Sequence, residues 1–314
     1  MATYRDCLPQ LMDKLFLADG GLETTLIFDE GFELPEFAAF TLLGDAQGES
    51  ALVRYFRGYA ALAREQGLGF ILESMTWRAS LEWGKKLGCD ADALDAANRN
   101  AIKLLAELRY EMQTERTPMV ISGCMGPRGD GYNVASKMTA AQAQDYHRPQ
   151  IESFYATEAD MVSAFTMNYV EEAVGLTNAA RAVGMPVVIS FTVETDGRLP
   201  SGQALGDAIT AVDEQTDSAP VYYMLNCAHP SHFSGALDEK APWAKRIKGV
   251  RANASAKSHA ELDEAEALDA GDPIQLADQY RQLLERLPNI NVLGGCCGTD
   301  LTHLKAICRT CTHQ

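Results

Sequence analysis

Pro186-Val187-Val188-Ile189-Ser190-Phe191-Thr192-Val193 is an almost unbroken apolar run. An antiparallel strand with one wet face alternates apolar and polar residues, whereas a parallel strand covered on both faces reads as continuously apolar. The run therefore predicts a strand buried in a parallel sheet. Working outward from it, short apolar segments recur at 15–21, 70–76, 119–127, 160–167, 221–230, 247–255 and 290–298, each ending in polar or glycine-rich residues. Helical patterns lie between them. Leu52, Tyr55, Phe56, Tyr59, Leu62 and Ala63 repeat at helical spacing, and Gly67 offers a stop. Ile102, Leu105, Leu108 and Met112 mark the next helix, and Val170 to Val183 is closed by Gly184. Thr139-x-x-Gln142 and Ser258-x-x-Glu261 are capping boxes, and Asp272-Pro273 supplies an N-cap and a first-turn proline.

Strand and helix alternate eight times, which calls for an α/β fold with a parallel sheet. Eight units in 314 residues fit a closed (β/α)8 TIM barrel, taken as a single domain over 1–314. An open doubly wound sheet is the alternative, but Gly20-Gly21-Leu22-Glu23 lacks the G-x-G-x-x-G spacing of its phosphate turn. The formal net charge is −16, which disfavours nucleic acid and anionic membrane surfaces as partners. No apolar run approaches a membrane span. The start, Met1 to Gln10, carries Arg5, Asp6 and Pro9 and has no signal-peptide core, so a cytoplasmic protein is expected. Its eight cysteines are then a poor fit to a disulfide framework and a better one to metal binding or burial.

In a barrel, chemistry gathers where strands end and βα loops begin. Those positions here hold Asp19-Gly20-Gly21-Leu22-Glu23, then Glu73-Ser74-Met75-Thr76-Trp77, then Glu194, then Asn226-Cys227 and Gly294-Gly295-Cys296-Cys297-Gly298. Strands six and eight are two apart in a barrel, so Cys227, Cys296 and Cys297 can converge. Adjacent strand residues point to opposite faces, so Cys296 and Cys297 reach one metal only if the backbone leaves strand geometry, and the flanking glycines permit that. Three cysteines with a fourth position open describe a zinc site for chemistry rather than for structure. His229, two residues from Cys227, would close that site as a fourth ligand. Cys308-x-x-Cys311 has no matching second pair and falls in a terminal helix; Cys124 sits at a strand end, where burial explains it, and Cys7 and Cys89 have no context. Three thiolates overcompensate a +2 ion, which suits activation of a substrate thiol for attack on carbon better than generation of hydroxide. A cationic methyl donor, a sulfonium or quaternary ammonium, fits an acidic pocket. A barrel hydrolase or lyase using Glu73 and Glu194 as acid and base, and a zinc- and thiol-binding protein without catalysis, remain as alternatives.

These residues resemble the homocysteine S-methyltransferase family of zinc-dependent barrels, over nearly the whole chain. Asn226-Cys227 together with Gly294-Gly295-Cys296-Cys297-Gly298 carries the resemblance, supported by Gly126-Pro127-x-Gly129, Ser190-Phe191-Thr192 and Asp196-Gly197-Arg198-Leu199-Pro200-Ser201-Gly202. It implies zinc on Cys227, Cys296 and Cys297. It implies an acceptor thiol, homocysteine or a relative, held by Asp19, the Gly20-Gly21 backbone and Ser74; position at the strand ends adds Glu23, Phe165 and Asn226 as substrate contacts, with Glu73, Trp77 and Glu194 around the pocket. The chain departs from the family at Phe165, which stands where a strand-four glutamate is expected to bind the acceptor's amino group. Either Glu23, Glu73 or Glu194 takes over the amine, or the acceptor is a thiol without one. The chain ends soon after the eighth strand, without folate or cobalamin modules or the long arm of the betaine-using branch. The resemblance thus favours a sulfonium donor such as S-methylmethionine or S-adenosylmethionine. Nothing in the sequence fixes an oligomeric state.

Overall fold

The parallel runs do close into a barrel. A computed structural model describes residues 1–12, 14–265 and 267–312. Its strands are β1 (Phe16–Leu17), β2 (Gly69–Glu73), β3 (Met119–Met125), β4 (Met161–Met167), β5 (Val187–Phe191), β6 (Tyr222–Asn226), β7 (Ile247–Ala252) and β8 (Val292–Gly295). Every neighbour pair is parallel, and β1 pairs with β8 to complete the ring. All eight apolar segments become strands, trimmed mostly at their C-terminal ends, where the chain turns into the βα loops. The β5 run behaves as its composition demands, with every residue from Val187 to Phe191 buried.

Side chains of alternate strand residues point inward. Phe16, Ile71, Val120, Met161, Val188, Tyr222, Met224 and Val292 fill the lower barrel as one apolar cluster, which Cys124 and Phe165 cap toward the C-terminal mouth. A larger apolar layer lies between the strands and the outer helices. The helices start and stop on local signals. Ala46–Gln66 begins on Asp45, whose side chain accepts from Gly48 N, and ends at Gly67 with φ of 66°. Both capping boxes form, opening Ala140–Tyr155 and His259–Asp263. Asp300–His303 forms a third.

The eightfold alternation has one weak link. Between β6 and β7 the chain makes only the short helix Pro230–Phe233 and two 3-10 turns, Ser234–Ala236 and Pro242–Arg246. Phe233 and Leu237 are its main apolar anchors, too few to cover a full helical face, and Gly235 and Pro242 interrupt the run. No helix among the described residues is long and apolar enough to cross a membrane.

Candidate metal centre

Cys227 follows β6 directly and adopts φ of 53°, a left-handed backbone that is uncommon for a residue with a side chain. The preceding residue holds it there. Asn226 Oδ1 accepts hydrogen bonds from Thr166 N at 2.9 Å and Ser190 Oγ at 2.6 Å, while its Nδ2 donates to Thr166 Oγ1 at 3.0 Å. The Asn226 amide thus ties β4, β5 and β6 together and fixes the strand end from which Cys227 projects. Thr166 itself sits at φ of 60° beside a register shift between β4 and β5.

The other two cysteines sit on a turn. β8 stops at Gly295, and Cys296 N donates to Ala252 O of β7 at 2.8 Å. Thr299 N closes back on Cys296 O at 3.1 Å, with Gly298 at φ of 78°. That turn brings both sulfurs to one side, as the glycine frame predicts. The first βα loop packs against it: Gly21 N donates to Thr299 O at 2.9 Å, and a Cβ on Gly21 would lie 2.6 Å from the Cys296 carbonyl oxygen. Gly21 is therefore required for the close approach of two backbones.

The Sγ atoms of Cys227, Cys296 and Cys297 lie within 4.8 Å of one another, the only group of His, Cys, Asp and Glu ligand atoms so arranged among the described residues. The Cys227 and Cys296 sulfurs are in direct contact, with Cα atoms 5.4 Å apart. Zinc needs all three as thiolates. The metal-holding state is therefore the reduced one. A tetrahedral zinc with sulfur bonds of about 2.3 Å places its sulfurs about 3.8 Å apart, a separation this cluster accommodates. Burial pushes the Cys297 thiol up to about 12, helped by the nearby Glu23 carboxylate; a bound cation is what would favour its thiolate. The donor set fits zinc. His229 does not join it: the imidazole caps Pro230–Phe233, its Nδ1 2.7 Å from Ser231 Oγ. Cys308 and Cys311 lie on the helix Leu301–Cys311, outside the cluster.

The cluster opens into a cavity of about 690 Å³ at the C-terminal mouth of the barrel. Asp19, Gly20, Gly21, Glu23, Glu73, Ser74, Trp77, Phe165 and Asn226 all line it with the three cysteines. Glu194 does not: it turns away after β5, where its backbone bonds Arg198 O at 2.8 Å. Glu73 and Glu194 therefore do not face a common substrate space. Ser74 Oγ is engaged within the wall, 2.6 Å from Thr76 Oγ1 and accepting from Cys124 N at 2.9 Å.

Sequence motifs missed the central charge. Arg251 of β7 lies in the barrel interior, with Nη2 2.8 Å from Asp19 Oδ1 and Nε donating to Gly295 O at 3.0 Å. Burial alone would lower its pKa, but Asp19 and Glu73 outweigh that and push it above the ordinary value. Its guanidinium also sits 5.2 Å from the Phe165 ring. Asp19, pushed up by burial and pulled back by Arg251 and Tyr55, is therefore committed to the protein: Tyr55 Oη donates to it at 3.0 Å. Burial also raises Glu73 and Glu23 to about 7. Glu73 Oε1 accepts from Ser163 Oγ at 3.1 Å, but Oε2 is buried without a partner. An inward arginine on a seventh strand carries no motif; only barrel closure brings it against Asp19.

A known family described as homocysteine S-methyltransferase matches residues 16–311 of the chain. No curated protein matches by sequence. Among solved structures, the metallated form of the homocysteine methyltransferase MmuM from Escherichia coli superposes with a TM-score of 0.74 at 20% identity, covering 95% of this chain and 96% of that one. Its oxidized form gives 0.75 at 20% identity, covering 97% and 99%. Its apo form gives 0.67 at 18% identity, covering 96% and 98%. At such identities the superpositions speak to the fold.

Proposed function

The chain belongs to the homocysteine S-methyltransferase family, and from that premise we propose that it is a zinc-dependent, cytoplasmic S-methyltransferase that moves a methyl group from a small onium donor to a thiol, homocysteine or a close relative. The observation that carries this reading is the convergence of the Cys227, Cys296 and Cys297 sulfurs at the floor of the barrel-mouth cavity. Reduced, these three residues would hold zinc and leave one coordination position free. Zinc bound there lowers the pKa of an acceptor thiol, so that the sulfur reacts as a thiolate.

The rest of the chemistry belongs to the cavity wall. Glu23, Glu73, Asp130, Asp263 and Asp269 give its charged residues an acidic majority. Trp77, Tyr132 and Phe165 add aromatic surface, and ring faces attract sulfonium or ammonium groups. Such a wall suits S-methylmethionine or S-adenosylmethionine. The acceptor thiol gives up its proton, its sulfur lone pair forms the new bond to the methyl carbon, and the donor's onium–carbon bond breaks. That electron pair stays on the donor, which leaves without its positive charge. With homocysteine as acceptor, the product is methionine. Phe165 and the engagement of Asp19 by Arg251 leave Glu73 Oε2 and Glu23 as the carboxylates available to an acceptor's amino group.

A thiol–donor screen read by mass spectrometry tests this. Methylated thiol should form with an onium donor, fall to background after chelation, and return when zinc is restored. Undiminished product from fully demetallated protein would refute the assignment, as would absence of product with every donor.

A further inference from the structure

We propose that Arg78 is the anion-recognition residue of this cavity, holding a carboxylate of one of the two substrates through the free edge of its guanidinium. The proposal rests on the reading above, that the cavity takes a thiol and a methyl donor. Arg78 follows β2, is 7% exposed, and lines the same cavity as the three cysteines. Its guanidinium is sandwiched between two indoles, Cζ lying 3.9 Å from the Trp77 ring centroid and 3.5 Å from that of Trp83. The indoles cover the guanidinium faces and leave most of its edge free. Among the described residues that edge makes one long hydrogen bond, from Nη1 to Gly129 O at 3.3 Å. Nε is buried and donates to nothing, and the adjacent Trp77 Nε1 is a second buried donor without a partner.

The other buried arginines differ. Arg251 has Asp19 and Arg109 has Asp160, each at 2.8 Å. Arg78 has no carboxylate at ion-pair distance among the described residues; Asp130, Glu23 and Glu36 act on it only from farther away. Burial outweighs them and lowers its pKa to about 10, so at neutral pH it remains a cation with incomplete compensation. A buried charge left in that state is costly. The stacking holds the planar fork in one orientation, and a carboxylate is the group that such a fork binds through two parallel hydrogen bonds. Because the other charged lining residues are acidic apart from Arg251, a molecule with several negative charges would be repelled. A single carboxylate on a molecule that is otherwise neutral or cationic fits. Either the thiol acceptor or the methyl donor could bring it.

Calorimetry on the zinc-loaded protein separates these sources with two ligand pairs: homocysteine against its carboxamide, and S-methylmethionine against its carboxamide. The substrate that docks on Arg78 should weaken by about tenfold to a hundredfold when its carboxylate becomes an amide, while the other pair is unaffected. Arg78→Gln should abolish that discrimination at unchanged zinc stoichiometry. Equal affinity for acid and amide in both pairs, measured on the wild-type protein and so free of any folding defect, would overturn the proposal. Discrimination that survives in Arg78→Gln, or no binding of any of the four ligands, would overturn it too. Methyl transfer assayed with the same ligands keeps the two claims apart. Equal turnover of acids and amides would remove the role of Arg78 and leave the methyltransferase. Carboxylate discrimination without methylated product would do the reverse.

Discussion

At the scale of single residues, the barrel mouth is a set of buried charges arranged around Arg251. Glu73 is the member whose cost can be read in solution. Burial raises its pKa from 4.5 to about 7 despite Arg251 nearby. Between those values the unfolded chain has lost a proton that the folded protein keeps. Stability contributed by this group is therefore full below pH 4.5 and is lost as the pH rises through about 7. Glu73→Gln should remove that slope, gaining about 3 kcal/mol relative to wild type at pH 8 compared with pH 4.5. Urea unfolding midpoints across the range check it; parallel curves for the two proteins would show that Glu73 titrates normally. Arg251→Met should act in the opposite sense. It leaves Asp19 buried without its cation and unties the Gly295 carbonyl, so a loss of about 3–5 kcal/mol is expected, visible as a lowered urea midpoint at pH 8.

At the scale of elements, the decisive feature is a turn held by a neighbouring loop. Gly21→Ala would push a methyl group into the Cys296 carbonyl and shift the turn that carries two of the three sulfurs. Zinc affinity should fall at least tenfold with far-ultraviolet circular dichroism unchanged; competition against a colorimetric chelator measures it, and an unaltered affinity would mean that the turn yields freely. Local signals of this kind were readable in advance. The apolar runs became strands because both faces are covered, the two capping boxes opened helices because their partners lie three residues apart, and Gly294 to Gly298 announced a departure from strand geometry. Long-range signals were not readable. Nothing local says that Arg251 meets Asp19, that the Asn226 amide is spent on Thr166 and Ser190, that Arg78 is stacked between Trp77 and Trp83, or that Glu194 turns away from the cavity. The missing long helix between β6 and β7 was not read either, because strand–helix periodicity elsewhere masked the breaks at Gly235 and Pro242.

At the scale of the whole molecule, the chemistry gathers at one end of the barrel and the start of the chain is anchored at the other. At the N-terminal end Asp160 accepts from Thr3 N and Tyr4 N at 2.8 and 2.7 Å and from Arg109 Nη1 and Ile121 N at 2.8 and 2.9 Å. This buried pair clamps the first residues of the chain under the strands. Asp160→Ala should cost about 3–5 kcal/mol, read as a lowered denaturation midpoint, while folded protein keeps its full zinc content. At the other end the three cysteines follow β6 and β8, which flank β7, so the metal centre depends on the pairing of these three strands. The most direct test of the account is zinc analysis of the reduced protein and of Cys296→Ser, paired with methyl transfer. The account predicts one zinc per chain in the reduced wild type, and loss of most of that zinc and of transfer in the variant. Stoichiometric zinc and full activity in Cys296→Ser would contradict it.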